Sequence, residues 1–267
     1  MKSISNVGIA DVKAVYSGPE GDLWQLLMGE QIHVGGLKAT LDLAERAGIG
    51  AGHHGVDLCC CNGAGMRCLV RFRNVASMTG VDATLTVVER GQRRCQEEGL
   101  ADRIKFVVAD ALSSGLPSAS ADFVWGEDAW CYVSDKPKLI AEAARIVRPG
   151  GVIGFTDWVE GPAGLSDSEA ANFLSFMKFA TIEDIPGYST LLTKNGCKVL
   201  QAEDTGRFQS YAELFIKMLE MQLSYDALRI LGFSTEMLQM VIGAFGTLRD
   251  LAAAGKIAQA RFIARRV

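Results

Sequence analysis

The stretch "VDLCCCNGAGMRCLV" (Val56 to Val70) sets three adjacent cysteines before a turn containing Gly63 and Gly65, and two later apolar runs each close on a carboxylate, Asp82 in "VASMTGVD" and Asp110 in "IKFVVAD". A turn that passes close beneath a ligand needs residues of little bulk, which the glycines supply. Asp82 follows Gly63 by 19 residues, the separation at which a carboxylate accepts both hydroxyls of a ribose. Asp110, at the end of the next run, is placed to meet an adenine amino group. The pair predicts an adenosine-containing ligand, against the ordinary duty of aspartates as turn and helix caps. Neither GxGxxG nor GxxxxGK[ST] falls in this turn and no lysine lies in it, so the turn offers no cradle for a phosphate.

The cysteines read first as packing groups. There are seven, an odd and irregularly spaced set (59, 60, 61, 68, 95, 131, 197), which speaks against a disulfide framework. Adjacent side chains on a strand point to opposite faces and converge poorly on one ion, so no metal site is expected and the thiols read as soft packing groups.

These residues need elements to position them. "GDLWQLLMG" and "LKATLDLAERAG" read as helices joined by the glycine-bounded "GEQIHVGG". From Val56 the pattern alternates. "GVDLCCC", "VASMTGVD", "IKFVVAD", "ADFVWGED" and "GVIGFTDW" read as strands; "AGMRCLVRFR", "TLTVVERGQRRCQEEG" and "DKPKLIAEAARIV" as helices, the last closed by "RPGG". Strands separated by helices predict a parallel sheet with right-handed crossovers, and ligands of such sheets sit beyond the carboxyl ends of the strands. Residues 161–195 break the rhythm with short helices that suit a cover. "KVLQAEDTG" and "AQARFIARR" read as two further strands around helical residues 209–255, in which Met218, Met221, Met237 and Met240 form a stripe read as core packing.

With 267 residues and a net charge of −4, the composition argues against nucleic acid or an anionic membrane as partner and for a small molecule. The first residues lack a secretory signal pattern and no apolar run approaches membrane-helix length, so a cytoplasmic protein is expected. S-adenosylmethionine, with adenine and ribose but no phosphate, meets the ligand requirements.

Taken in order, "VDLCCCNGAGMRCLV", "GVDAT", "VVADA", "ADFVWGEDAW" and "ARIVRPGGVIGFTDW" resemble the successive motifs of class I S-adenosylmethionine-dependent methyltransferases, and "LLMGEQIHVGG", "GEDAWCY", "GYSTLLTKNG" and "GKIAQARFIAR" look like sarcosine/dimethylglycine N-methyltransferases. The resemblance implies an α/β fold: a doubly wound, mostly parallel seven-stranded, Rossmann-like sheet with an N-terminal helical lid and helical insertions near the C-terminus. It divides the chain into a lid (1–50), a donor-binding core (51–160) and a helical cover with the final strands (161–267). In the family's DxGxGxG pattern Asp57 and Gly63 match, while Cys59 and Cys61 stand at the first two glycine positions. Cysteine carries a Cβ, so an ordinary backbone conformation is expected there, with an altered hold on the methionine-like tail.

Carried over position by position, the resemblance implies Asp82 and Ala83 at the ribose and adenine, Asp110 and Ala111 at the adenine edge, and Gly29, Glu30, Ile32 and His33 as lid. Trp24, Ile32, Cys59, Cys61, Gly63 and Asp128 join the donor site; Asp128, Tyr132 and His33 are the catalytic set, and Trp24, His33, Trp130, Tyr132 and Trp158 face the acceptor. In phosphoethanolamine N-methyltransferases an N-terminal tyrosine pairs with a histidine four residues after the aspartate. The nearest positions here hold Trp24 and Tyr132, which points away from phosphoethanolamine. Aromatic faces would steady a developing ammonium, and Asp128 or Tyr132 would take or relay a proton. Arg67, Lys178 and Arg207 are cations able to hold a substrate carboxylate, or else solvated surface charges.

The implied activity is methyl transfer from S-adenosylmethionine to a small molecule, foremost an amine of the sarcosine or dimethylglycine kind, with no metal. A C- or S-methyltransferase of a specialised metabolite, a non-catalytic donor-binding protein and thiol chemistry at Cys131 or the three adjacent cysteines remain alternatives, and the oligomeric state is open, with a homodimer as the candidate.

Overall fold

The alternating strands and helices fold, in a computed structural model that describes residues 2–267, around one large sheet. The N-terminal elements are β1 (Lys2–Ser3), α1 (Ile9–Tyr16), α2 (Pro19–Met28) and α3 (Gly36–Arg46). The core follows as β2 (His54–Leu58), α4 (Ala64–Phe72), β3 (Ser77–Asp82), α5 (Leu85–Glu97), β4 (Ile104–Val108) and β5 (Ala121–Glu127). After β5 come a 3-10 turn (Trp130–Tyr132), α6 (Lys136–Ile146) and β6 (Val147–Glu160). The rest comprises α7 (Asp167–Met177), β7 (Thr181–Ile182), α8 (Ile185–Lys194), β8 (Cys197–Asp204), α9 (Phe208–Glu220), α10 (Ser224–Ile230), α11 (Thr235–Ala253) and β9 (Ile257–Arg266).

The seven-stranded sheet has the order β4-β3-β2-β5-β6-β9-β8, parallel except for β9, which runs antiparallel to both neighbours. This is the doubly wound, mostly parallel arrangement expected from the strand–helix rhythm. Strand order reverses between β2 and β5, so the carboxyl ends of those strands flank the crevice where such sheets bind ligands. β6 is longer than its apolar run because it takes in "RPGG", with a register shift opposite Ala121 and Phe123.

Three apolar clusters hold the elements. On one sheet face Leu139, Ile140 and Ala143 of α6 and Tyr188 and Leu192 of α8 pack on Val124, Phe155 and Phe262. On the other face Leu43 of α3, Met66 and Leu69 of α4 and Cys95 of α5 pack on Met78, Phe123 and Trp125. The third cluster lies off the sheet, where Leu23 and Leu27 of α2, Phe173 of α7, Phe215 of α9 and Phe245 and Leu248 of α11 surround Trp158. Met218 packs against this cluster, but Met221, Met237 and Met240 are exposed, which corrects the core reading of the methionine stripe. The broken segment is α7, β7 and α8, and β7 pairs with β1, tethering the N-terminus through Lys2 and Ser3. No single helix among the described residues is long and apolar enough to cross a membrane.

A charged network lies inside the first cluster. Asp157 accepts from the Tyr188 hydroxyl (2.5 Å) and from the Cys131 backbone N–H (2.9 Å), so it fixes the 3-10 turn that carries Tyr132. Lys136, fully buried, donates to the carbonyls of Cys131 (3.2 Å) and Val133 (2.5 Å). Burial pushes the Asp157 carboxyl up to about 6, with Lys136 acting in the opposite sense. The folded protein therefore keeps a proton that the unfolded chain has released, and stability falls as pH rises from about 4 to about 6, by on the order of 2–3 kcal/mol. Asp157→Asn should flatten that part of the curve of unfolding free energy against pH, measured by urea titration; an unchanged slope would remove Asp157 as its source.

Candidate active site

A cleft of about 1190 Å³ opens at the carboxyl ends of β2, β3, β4 and β5. Each strand delivers its following loop to the wall: Cys59, Cys60, Cys61 and Asn62 after β2, Asp82, Ala83 and Thr84 after β3, Asp110 to Leu112 after β4, and Glu127 to Ala129 around the end of β5. The roof is α1, through Ile9, Val12, Lys13 and Tyr16, together with the loop Glu30 to His33. Helix α1 went unrecognised in the sequence, although Ile9, Val12 and Tyr16 at helical spacing were a usable signal.

Asp82 accepts from the Cys61 N–H (2.9 Å) and the Thr84 N–H (2.8 Å), one on each carboxylate oxygen, so each oxygen keeps a lone pair for a further donor. Asp110 accepts the Leu112 N–H on Oδ1 (2.9 Å), and Oδ2 has no partner among the described residues. Asp57, buried beneath the turn, is held well above the usual carboxylate range by burial and then by the charges of Glu127 and Asp82. Gly65 borders the cleft, and a Cβ there would lie 2.7 Å from Glu127 Oε2. Gly63 does not border it; its φ of 72° starts α4, and a Cβ would press on Phe106 at 2.6 Å.

The cysteine turn departs from expectation. β2 ends at Leu58, so the three cysteines lie in the turn and not on the strand, and Cys59 (φ 65°) and Cys61 (φ 48°) adopt the left-handed conformation that favours glycine. The backbone is kept because the Cys59 and Cys60 N–H groups both donate to Val81 O (2.8 and 3.1 Å) while Cys61 N–H donates to Asp82. What changes is the cleft wall, which gains thiols. Burial pushes the Cys61 thiol up to about 12 and those of Cys59 and Cys60 well above their ordinary value, so at neutral pH they are uncharged.

The lid loop is fastened by ion pairs. Arg67, buried, donates to Glu30 Oε2 (3.0 Å) and to Asn62 O (2.7 Å), and Arg94 meets Glu30 Oε1 at 2.9 Å. Arg67 is thus committed to joining the lid and the cysteine turn. Arg207 lies 3.8 Å from Asp42, and neither it nor Lys178 borders the cleft. Asp128, with a φ of 50°, accepts from Val34 N–H (2.8 Å) and from the Gln259 side-chain amide on both oxygens (2.9 and 2.7 Å). Gln259, fully buried on β9, gave no sequence signal; its partner lies 131 residues away. Thr40 donates to Glu127 Oε1 (2.7 Å), so its hydroxyl oxygen accepts from His33 Nε2 at 3.1 Å.

A second, smaller chamber of about 250 Å³ adjoins the cleft. Tyr16, Ile32, His33, Asp128 and Tyr132 border both spaces; Trp24, Met28, Trp158, Met177 and Phe179 complete the chamber alone. The walls interlock edge to face: Trp24 on Trp158 (6.5 Å between centroids), Tyr132 on Phe179 (4.8 Å) and Tyr16 on Tyr132 (5.5 Å). Trp24 therefore faces the chamber and not the larger cleft. The N-terminal aromatic whose ring meets Tyr132 is Tyr16 and not Trp24, and burial raises both phenols far above their ordinary value. Trp130 borders neither space. It is fully buried, stacks on Phe155 (4.1 Å) and donates to Leu58 O (3.1 Å), which removes it from the acceptor-facing set.

Residues 56–155 match the family described as a methyltransferase domain. The chain is 30% identical over 202 residues to the 27-O-demethylrifamycin SV methyltransferase of Amycolatopsis mediterranei, covering 70% of this chain and 74% of that protein. It is 30% identical over 172 residues to the methyltransferase GfsG of Streptomyces halstedii, covering 63% of this chain and 61% of that one. Among solved structures, a Galdieria sulphuraria protein provisionally assigned as a sarcosine dimethylglycine methyltransferase superposes with a TM-score of 0.78 at 23% identity over 86% of each chain. The chain belongs to the S-adenosylmethionine-dependent methyltransferases.

The left-handed cysteines imply strain of about 1–2 kcal/mol each. Cys59→Gly and Cys61→Gly should each leave the protein as stable as before or up to about 1 kcal/mol more stable, whereas Cys61→Val should cost about 2 kcal/mol. Urea unfolding midpoints decide this, and glycine variants weaker than the valine variant would refute the strain account.

Proposed function

We propose that this protein transfers a methyl group from S-adenosylmethionine to the nitrogen of a small amine, in the cytoplasm. The reading is supported above all by one observation, that Tyr16, Ile32, His33, Asp128 and Tyr132 border both the carboxylate-lined cleft and the aromatic chamber, so a donor in one and an acceptor in the other would meet across them. Asp82 and Ala83 would hold the ribose, Asp110 and Ala111 the adenine, and Cys59 to Cys61 the amino-acid tail. When bound, the donor supplies a methyl carbon activated by a positively charged sulfur.

The chain's own residues align the partners and exclude water. In this division residues 1–50 close over the donor, 51–160 carry its cleft and 161–267 wall the acceptor. Both oxygens of Asp128 are engaged and the Tyr132 phenol is raised by burial, so neither group is placed to take a proton from the acceptor. They suit an amine that arrives uncharged, with hydrogen bonds orienting it and the faces of Trp24 and Trp158 steadying the ammonium that develops, by about 0.5–2 kcal/mol each. A hydroxyl acceptor of the specialised-metabolite kind is the second reading, favoured by the similarity to the demethylrifamycin methyltransferase; the chamber of about 250 Å³ favours a more compact molecule.

Product analysis by mass spectrometry after incubation with methyl-labelled donor and matched amines and alcohols should place the label on nitrogen. Label on oxygen, carbon or sulfur, or none, would reject the amine assignment. Asp82→Ala should weaken binding of S-adenosylhomocysteine, followed by calorimetry, by about 10- to 100-fold, the effect of losing a charge-assisted pair of hydrogen bonds. Tyr16→Phe should lower kcat by about tenfold or more with a smaller change in that affinity; the reverse pattern would make Tyr16 a donor-binding group only.

A further inference from the structure

Charge is distributed unevenly around the two spaces. The ionisable residues of the aromatic chamber are His33, Asp128 and the phenols of Tyr16 and Tyr132, with no lysine or arginine among them. In the larger cleft Lys13 faces six carboxylates, those of Glu30, Asp57, Asp82, Asp110, Glu127 and Asp128, and its charge acts on Asp82 at the donor end. The N–H of His33 is not available to an anion: Nε2 donates to Thr40 at 3.1 Å and lies 3.4 Å from Glu127 Oε1. The cations that could have served an acidic acceptor are elsewhere, Arg67 on Glu30 and Arg207 beside Asp42, and Lys178 borders neither space.

An acceptor bearing a carboxylate or phosphate would bring that charge into an apolar wall without a counter-ion and set it near the Asp128 carboxylate, an arrangement that burial makes costly. The ammonium that forms as an uncharged amine takes the methyl meets the opposite surroundings, the ring faces of Trp24 and Trp158 and the carboxylate of Asp128. We infer that the acceptor is a compact amine that carries no acidic group, so that this chamber selects by charge against phosphorylated amines and against amino acids, the sarcosine and dimethylglycine kind expected from the sequence included. The inference rests on the methyl-transfer reading above and narrows it.

The test uses the full chain saturated with S-adenosylhomocysteine and three probes of one ammonium head, choline, its carboxylate counterpart betaine, and phosphocholine, titrated by tryptophan fluorescence and calorimetry. Choline should bind at least about tenfold more tightly than either acidic probe, and Trp24→Ala, which removes a ring face from the head common to all three, should weaken them alike. Met28→Lys, which puts a cation in the chamber wall, should shift the preference toward betaine and phosphocholine in protein that still takes up S-adenosylhomocysteine. Betaine or phosphocholine binding as tightly as choline, no detectable choline binding, or a preference unmoved by Met28→Lys would overturn the inference. The preceding titration separates the two claims: without uptake of S-adenosylhomocysteine the methyl-transfer reading fails, whereas uptake followed by equal or reversed probe binding sinks the charge selection alone.

Discussion

Carboxylates are buried at the seam where strand order reverses, and the rest of the site is arranged around keeping them there. Asp57 at the end of β2 and Glu127 and Asp128 at the end of β5 stand close enough that Glu127 contributes to raising the Asp57 carboxyl. Such a grouping would repel itself unless each member found a donor or a cation. The donors come from distant segments: Thr40 of α3 for Glu127, and the Val34 N–H and Gln259 of β9 for Asp128. The same bonds that make the carboxylates tolerable also draw the lid loop and the last strand onto the sheet, so local electrostatics and the closure of the site are one arrangement.

A parallel sheet alone cannot provide the second half of the site. Its strand ends offer loops with polar tips, suited to a nucleoside, but no enclosed apolar space. That space arises where Trp158, near the end of β6, meets Trp24 of α2, Met177 of α7 and Phe179 beside it, with α9 and α11 packed behind. The helical cover therefore does more than bury the sheet edge: it converts an open crevice into two chambers that share a wall. The network of Lys136, Asp157 and Tyr188 lies under that wall and sets the 3-10 turn from which Tyr132 projects.

The cysteine turn shows how a motif survives substitution. Hydrogen bonds to Val81 O and Asp82 hold the left-handed backbone at Cys59 and Cys61 even though both carry a Cβ. The expectation that a Cβ would force an ordinary conformation weighed intrinsic preference alone and left out the bonds by which tertiary structure offsets a strain of a few kcal/mol.

The alternation of core strands and helices, the acids Asp82 and Asp110 at strand ends and the turn that precedes them were set by the sequence itself, because each depends on periodicity or on residues near one another along the chain. Even the aromatic wall was legible in part, through Trp24, Tyr132 and Trp158. Folding decided which residues meet over long separations: Tyr16 and not Trp24 against Tyr132, Gln259 on Asp128, Arg67 on Glu30 and Trp130 inside the core. It also left Met221, Met237 and Met240 exposed where their spacing suggested burial. An apolar side chain announces that it can be buried, and a charge that it can be paired; which partner it finds depends on faces brought together only when the helical cover closes over the sheet.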